Sequence, residues 1–181
     1  EGIMAMGSLA VAMVGIISLA PVLKNLLTPI VGPIYSALGA DPAMFATTLL
    51  ANDMGGAPLA LEMAKNPEAG RLAAFILGSM MGPTIVFTIP VALGIIEKDD
   101  KPFLAKGILA GITTIPLGVL AGGLVSGFPI GLILVNLIPI IIVATLIILG
   151  LIFMPEKMTK GFEVFGQAVV IIITIGLVAA I

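Results

Sequence analysis

From Ile130 to Met154 the sequence carries no charged residue, and Asn136 and Thr145 are its only strongly polar side chains. A run of that length matches the roughly 20 apolar residues, at about 1.5 Å each, that cross a hydrocarbon core of about 30 Å. Comparable runs fill most of the chain, and they constrain its fold more than any other feature. Eight basic and ten acidic residues among 181, with 60% apolar residues and a mean hydropathy of +1.28, are too few charges to cover a soluble surface. Soluble domains carry about 25% charged residues. The chain therefore reads as an all-α polytopic membrane protein. Its formal net charge of −2, with no basic run, gives no footing for a nucleic-acid partner. It has no Cys and no His, which removes disulfides, thiol nucleophiles and histidine-based metal or proton chemistry.

The sparse polar residues divide the chain into about six spans, two of them discontinuous, plus one short re-entrant or interfacial piece. All belong to a single transmembrane domain covering residues 1–181. Gly2 to Leu23 forms the first span and ends at Lys24-Asn25. Leu26 to Ala40 is short and interrupted by Pro29, Gly32, Pro33 and Gly39, so it is the expected re-entrant piece. Asp41-Pro42 then opens a helix, with Asp41 as cap and Pro42 at the first position, and that helix spans Ala43 to Lys65 with a break in its middle. A loop follows at Asn66 to Arg71. Leu72 to Ile96 is interrupted at Gly82-Pro83 and at Pro90, and the charged loop Glu97 to Pro102 separates it from Phe103 to Gly127. Ile130 to Met154, the loop Pro155 to Lys160, and Gly161 to Ile181 complete the chain. The start at Glu1 and the apolar end at Ile181 lead us to expect one half, the first repeat, of a longer transporter. Lys98, Lys101, Lys106, Lys157 and Lys160 fall on one side against Lys65 and Arg71 on the other, which makes the first side cytoplasmic.

The chemistry concentrates at Asn52-Asp53-Met54-Gly55-Gly56-Ala57-Pro58. Gly55 and Gly56 weaken a helix, and Pro58 cannot donate to the carbonyl of Met54. Backbone that leaves the helix at membrane depth must line a cavity or lie inside protein. Two half-helices meeting there, the first ending near Asn52 and the second starting at Pro58, match the way transporters build midplane sites. Asp53 is the one carboxylate at that depth, and such a charge in mid-span marks function. The alternative is a cap on the second half-helix or a pair with a distant cation. A second candidate is Ser79-Met80-Met81-Gly82-Pro83-Thr84, where Pro83 frees the carbonyl of Ser79 and two hydroxyls are added. A plain proline kink is the competing reading.

Other polar residues read as structural. Glu62 and Lys65 are spaced to pair along one helix, Asn136 and Thr113-Thr114 suit interhelical hydrogen bonds, and Tyr35 suits an interface. The pairs Gly78/Gly82, Gly107/Gly111, Gly118/Gly122 and Gly123/Gly127 have the spacing that lets helices approach closely. No nucleophile–base pair, phosphate loop or metal-ligand cluster is present, so no enzyme activity, cofactor or metal is expected.

The chain resembles the EutH-type ethanolamine permease family in EGIMAMGSLAVAMVG (Glu1 to Gly15), LLANDMGGAPLA (Leu49 to Ala60), ILGSMMGPTIVFTIPVALGIIE (Ile76 to Glu97) and MPEKMTKGFEVF (Met154 to Phe165). The resemblance covers essentially all 181 residues. The family's central motif is Cys-Asp-Met-Gly-Gly, and Asn52 replaces its first residue here. The resemblance implies a multi-pass protein of the bacterial inner membrane that carries ethanolamine, a small protonated amine. Its partners would be that amine, the bilayer and the remaining half of the same protein, with homo-oligomer formation left open. Asp53 and the carbonyls near Asn52 would hold the ammonium. Amides after Gly55 and Gly56, or Ser79 and Thr84, would take the hydroxyl. Two rival readings stay open, a channel-like pore for small amines or ammonia and a non-transporting assembly protein.

Overall fold

The structure is a computed structural model that describes residues 2–88 and 96–154 together with Lys157, Met158, Lys160, Gly161, Val164 and Ile171. Pro90 and most of the last expected span lie outside the described residues. Every regular element among the described residues is helical.

The first helix, α1, runs from Gly2 to Ala37 through Pro21, Pro29 and Pro33. Neither the expected stop at Lys24-Asn25 nor the re-entrant piece at Leu26 to Ala40 is present. A proline costs the helix one hydrogen bond and bends it, but a chain reversal needs turn geometry as well. That geometry arrives only at Gly39, whose φ of +73° favours glycine, with the Ala40 amide donating to Tyr35 O at 2.9 Å. Lys24, the charge expected to end the span, instead meets Glu62 at 3.3 Å. One face of α1 is buried at Ala20, Val31 and Tyr35, while Val22, Leu26, Ile30 and Ile34 form an exposed apolar stripe four residues apart.

The segment expected to cross as a broken helix turns back on itself. Helix α2 (Ala43–Leu49) and helix α3 (Gly56–Met63) pack against each other, and both flank the turn between them. Their outer ends meet, because the Asp41 carboxylate accepts from the backbone amides of Ala43, the first residue of α2, and of Lys65 and Asn66, just after α3. Residues 41 and 65 of a through-going helix would lie about 36 Å apart. The element is a helical hairpin with its mouth at Asp41 and Lys65.

The expected loop Asn66 to Arg71 is mostly helix. The Asn66 side chain accepts from the amides of Glu68 and Ala69, Pro67 takes the first turn, and helix α4 (Pro67–Arg71) begins there. The chain continues in helical geometry through a π-helical turn (Leu72–Ile76), a 3-10 turn (Leu77–Ser79), the short helix α5 (Met81–Pro83) and a second π-helical turn (Thr84–Thr88). Gly82-Pro83 therefore distorts the helix without reversing it.

Helix α6 (Lys101–Val125) and helix α7 (Ile130–Phe153) form the largest helix pair, joined by a short turn. Ile108, Ile112, Ile115 and Val119 make the buried stripe of α6, and Ile133, Leu137, Ile140 and Ala144 that of α7, both at helical spacing. Among the described residues, only the stretch Ile130–Gly150 is long and apolar enough to cross a membrane, with a mean hydropathy of 3.0. Its outer face exposes Leu134, Ile138, Ile141, Leu146 and Leu149.

Candidate functional site: a hairpin tip and its mouth

The tip of the hairpin is built from residues that cannot stay helical. Leu50 and Ala51 are extended, Asn52–Met54 form one 3-10 turn, and Gly55 sits at φ +84°, a conformation L side chains rarely adopt. Ala51 O accepts from the amides of both Met54 and Gly56, at 3.1 and 3.0 Å, which closes the turn. Helix α3 starts at Gly56, two residues before the expected Pro58, and Pro58 falls in its first turn, where a missing N–H costs nothing. Asp53 projects from the tip, exposed, and its carboxylate has no partner among the described residues. Its backbone amide donates to Asn52 Oδ1 at 2.8 Å.

The two sequence motifs cross each other at this tip. A Cβ at Gly82 would overlap the Leu50 carbonyl and stand 2.6 Å from Ala51 Cα, and one at Gly78 would stand 3.0 Å from Thr47 Cγ2 and 3.1 Å from Asn52 Cβ. Glycine at 78 and 82 thus lets the unwound stretch Leu50 to Asn52 lie directly on the distorted helix. With about 1.5 Å per residue from Pro67, the crossing lies about 17–22 Å in from the mouth. Ser79 and Thr84 belong to the same stretch but spend their protons locally, on Ile76 O at 2.9 Å and Met80 O at 2.8 Å. No hydrogen bond joins either to Asn52 or Asp53 among the described residues. Thr47, fully buried at the crossing, leaves its Oγ1 without a partner there.

The mouth is a polar cluster that the spacing of residues does not announce. Asp41, 8% exposed, receives three amide protons at 2.8–3.0 Å, and its own amide donates to Asn136 Oδ1 at 2.8 Å. Asn136 was expected to bond between helices; it instead accepts from the loop amide ahead of α2 and donates to Leu132 O of its own helix. Lys65 Nζ donates to Ser36 Oγ at 2.9 Å and Glu62 pairs with Lys24, so the expected Glu62–Lys65 pair does not form. Ser36, Asp41, Lys65, Asn66 and Asn136 line a cavity of about 470 Å³ between the end of α1, the hairpin mouth and the first turns of α7. A second cavity of about 280 Å³, between Thr48, Ile85, Val143 and Ile147, is almost wholly apolar. Among the described residues no group of acidic side chains could hold a metal.

A helical hairpin whose two ends meet at one mouth, with an exposed carboxylate at its tip, packed among longer apolar helices, defines an all-α protein. The chain belongs to the EutH family, described as ethanolamine utilisation protein, which matches residues 1–181. It is 70% identical over 179 residues to a probable ethanolamine permease EutH of Listeria monocytogenes, covering 99% of this chain and 48% of that protein. Proteins of the same name from Salmonella typhimurium and Escherichia coli are 57% identical over 194 residues, covering all of this chain and 48% of theirs. The chain spans about half the length of the curated relatives it matches. No solved structure matches it.

Proposed function

We propose that this chain forms one half of a multi-pass inner-membrane carrier for ethanolamine and that the hairpin tip holds the substrate ammonium. The observation that carries the reading is the exposed Asp53 carboxylate, unpaired among the described residues, on an unwound turn about 17–22 Å along the helix that crosses it. A carboxylate placed there, beside the carbonyl end of α2, is costly in lipid unless a cation or water answers it. Ethanolamine resembles the Lys head group, whose reference pKa is about 10.4, so it is a cation at neutral pH. Its three ammonium protons suit Asp53 and the carbonyls around Asn52, and its hydroxyl suits the oxygen of Ser79 or Thr84. The unpartnered Thr47 hydroxyl adds a further polar group at the crossing. The names of the relatives, which call those proteins permeases, support the same substrate. The exposed apolar stripes of α1 and α7 fit a lipid surround.

Asp53→Asn keeps the shape and removes the charge. Hydrogen bonds to charged groups are worth about 1.5–3 kcal/mol, so low-concentration uptake of labelled ethanolamine by the full-length protein should fall at least about tenfold. Uptake equal to the parent protein at mildly acidic pH would refute the assignment. Saturable counterflow across vesicles supports a carrier, and strictly linear flux supports the pore.

A further inference from the structure

The cavity at the hairpin mouth has a hydrogen-bonding imbalance that points to a ligand. Its acceptors are largely spent. The Asp41 carboxylate takes three backbone amides and Asn136 Oδ1 takes the Asp41 amide. Its donors are not. Lys65 gives one of three ammonium protons to Ser36, which leaves the Ser36 hydroxyl proton free to point elsewhere. Asn66 uses only its Oδ1, for Glu68 and Ala69, so both Nδ2 protons remain. Asn136, 4% exposed on the cavity wall, gives one Nδ2 proton to Leu132 O and keeps the other. The one ion pair among the described residues joins Lys24 and Glu62, so the Lys65 ammonium makes no ion pair there, and the Asp41 carboxylate that shares the cavity is turned to backbone amides. A space of about 470 Å³ that offers protons from one ammonium, two carboxamides and a hydroxyl is matched by an oxyanion with several acceptor atoms.

We infer that this cavity binds a phosphate group, and its setting favours the phosphodiester of a membrane lipid. The cavity lies at the first turns of a helix long enough to cross a bilayer, which is headgroup depth. Its wall includes Val135, itself 38% exposed, and exposed Ile34 and Ile130 stand beside it in sequence on α1 and α7. These continue into the stripes of Ile30 and Leu134, along which acyl chains can lie. Lys65 supplies the charge, Ser36 and Asn66 orient the oxygens, and the Asp41 bonds hold the backbone of Lys65 and Asn66 in place. A phosphate seated there would brace the mouth of the hairpin while leaving its tip free.

The test uses the full-length protein in detergent, with thermal unfolding and native mass spectrometry as readouts and no transport step. The probes are dioleoylphosphatidylglycerol, dioleoylglycerol without the phosphate, and inorganic phosphate alone. Binding of the phospholipid should be at least about tenfold tighter than that of dioleoylglycerol, and Lys65→Gln and Ser36→Ala should each weaken it, whereas Lys24→Gln should not. Stabilisation by inorganic phosphate that Lys65→Gln abolishes, with no added gain from the lipid, would also support the phosphate site and assign it to free phosphate. Equal retention of both lipids by the parent, or binding unchanged in Lys65→Gln and Ser36→Ala, would overturn it. The outcome is independent of Asp53, because neither variant touches the tip.

Discussion

Replacing Asp41 with Ala removes one carboxylate and orphans three backbone amides at once. They lie on Ala43, Lys65 and Asn66, donate to it at 2.9, 3.0 and 2.8 Å, and belong to both ends of the hairpin. A bond to a charged acceptor contributes about 1.5–3 kcal/mol, and a buried donor left unmet costs about 1–3 kcal/mol. The adjoining cavity of about 470 Å³ admits water that can answer part of the loss. We therefore take the lower end, about 3 kcal/mol for the mouth as a whole. At 1.36 kcal/mol per decade, that is about a hundredfold in the opening equilibrium. Hydrogen exchange on the full-length protein should show the amides of Lys65 and Asn66 exchanging about a hundredfold faster in Asp41→Ala, with those of the α6–α7 core unchanged. Asp41→Asn should fall between, because one oxygen remains but a donor now faces donors. Acceleration below about threefold would show that the carboxylate does not hold the hairpin closed.

The glycines separate into two kinds with opposite expectations. Gly82→Ala drives a methyl into the backbone of Leu50 and Ala51, which cannot swing aside, so it should cost about 1–3 kcal/mol in thermal unfolding and reduce uptake. Gly107→Ala meets no heavy atom within 4 Å and should stabilise α6 by about 0.5–1 kcal/mol; the reverse ranking would show that the crossing at Gly82 is not tight. Lys24 and Glu62 are 42% and 51% exposed at their side chains, and a double-mutant cycle on them should give coupling below about 1 kcal/mol that fades at high salt. A coupling above about 2 kcal/mol would place this pair out of water.

The positions of the helix breaks were legible in the sequence, and the path of the chain through them was not. Gly55, Gly56 and Pro58 place the first break within two residues, because each restricts backbone geometry locally. Whether the chain then continues or returns depends on Asp41 meeting Lys65 and Asn66, 24 and 25 residues on, and Asn136, 95 residues on. No local pattern encodes those distances. Prolines misled in the other direction, since Pro29 and Pro33 read as interruptions while α1 absorbs both. Tyr35 was expected at an interface, yet it is 6% exposed and packs edge-on against Phe45 at 6.3 Å. An aromatic ring with one hydroxyl serves either place, and the neighbour that decides comes from the hairpin. Asn136 carried a usable signal, because a buried amide in so apolar a helix must find a partner. Its pairing with a backbone amide rather than a side chain is why that signal did not expose the cavity. Gly78 and Gly82 were read correctly as close-approach residues, and their partner proved to be the unwound tip itself.

Ethanolamine seated at the hairpin tip would change the chemical accessibility of the tip itself. These 181 residues hold no cysteine, so Met54→Cys, in full-length protein with any cysteine of the remaining half replaced by Ser, introduces a single thiol next to Asp53 on the half-buried 3-10 turn. Ethanolamine should slow alkylation of that thiol in a saturable way, ethanol at the same concentration should not, and Asp53→Asn should abolish the protection. Alkylation at an unchanged rate under saturating ethanolamine, in protein that still takes the substrate up, would place the substrate site elsewhere.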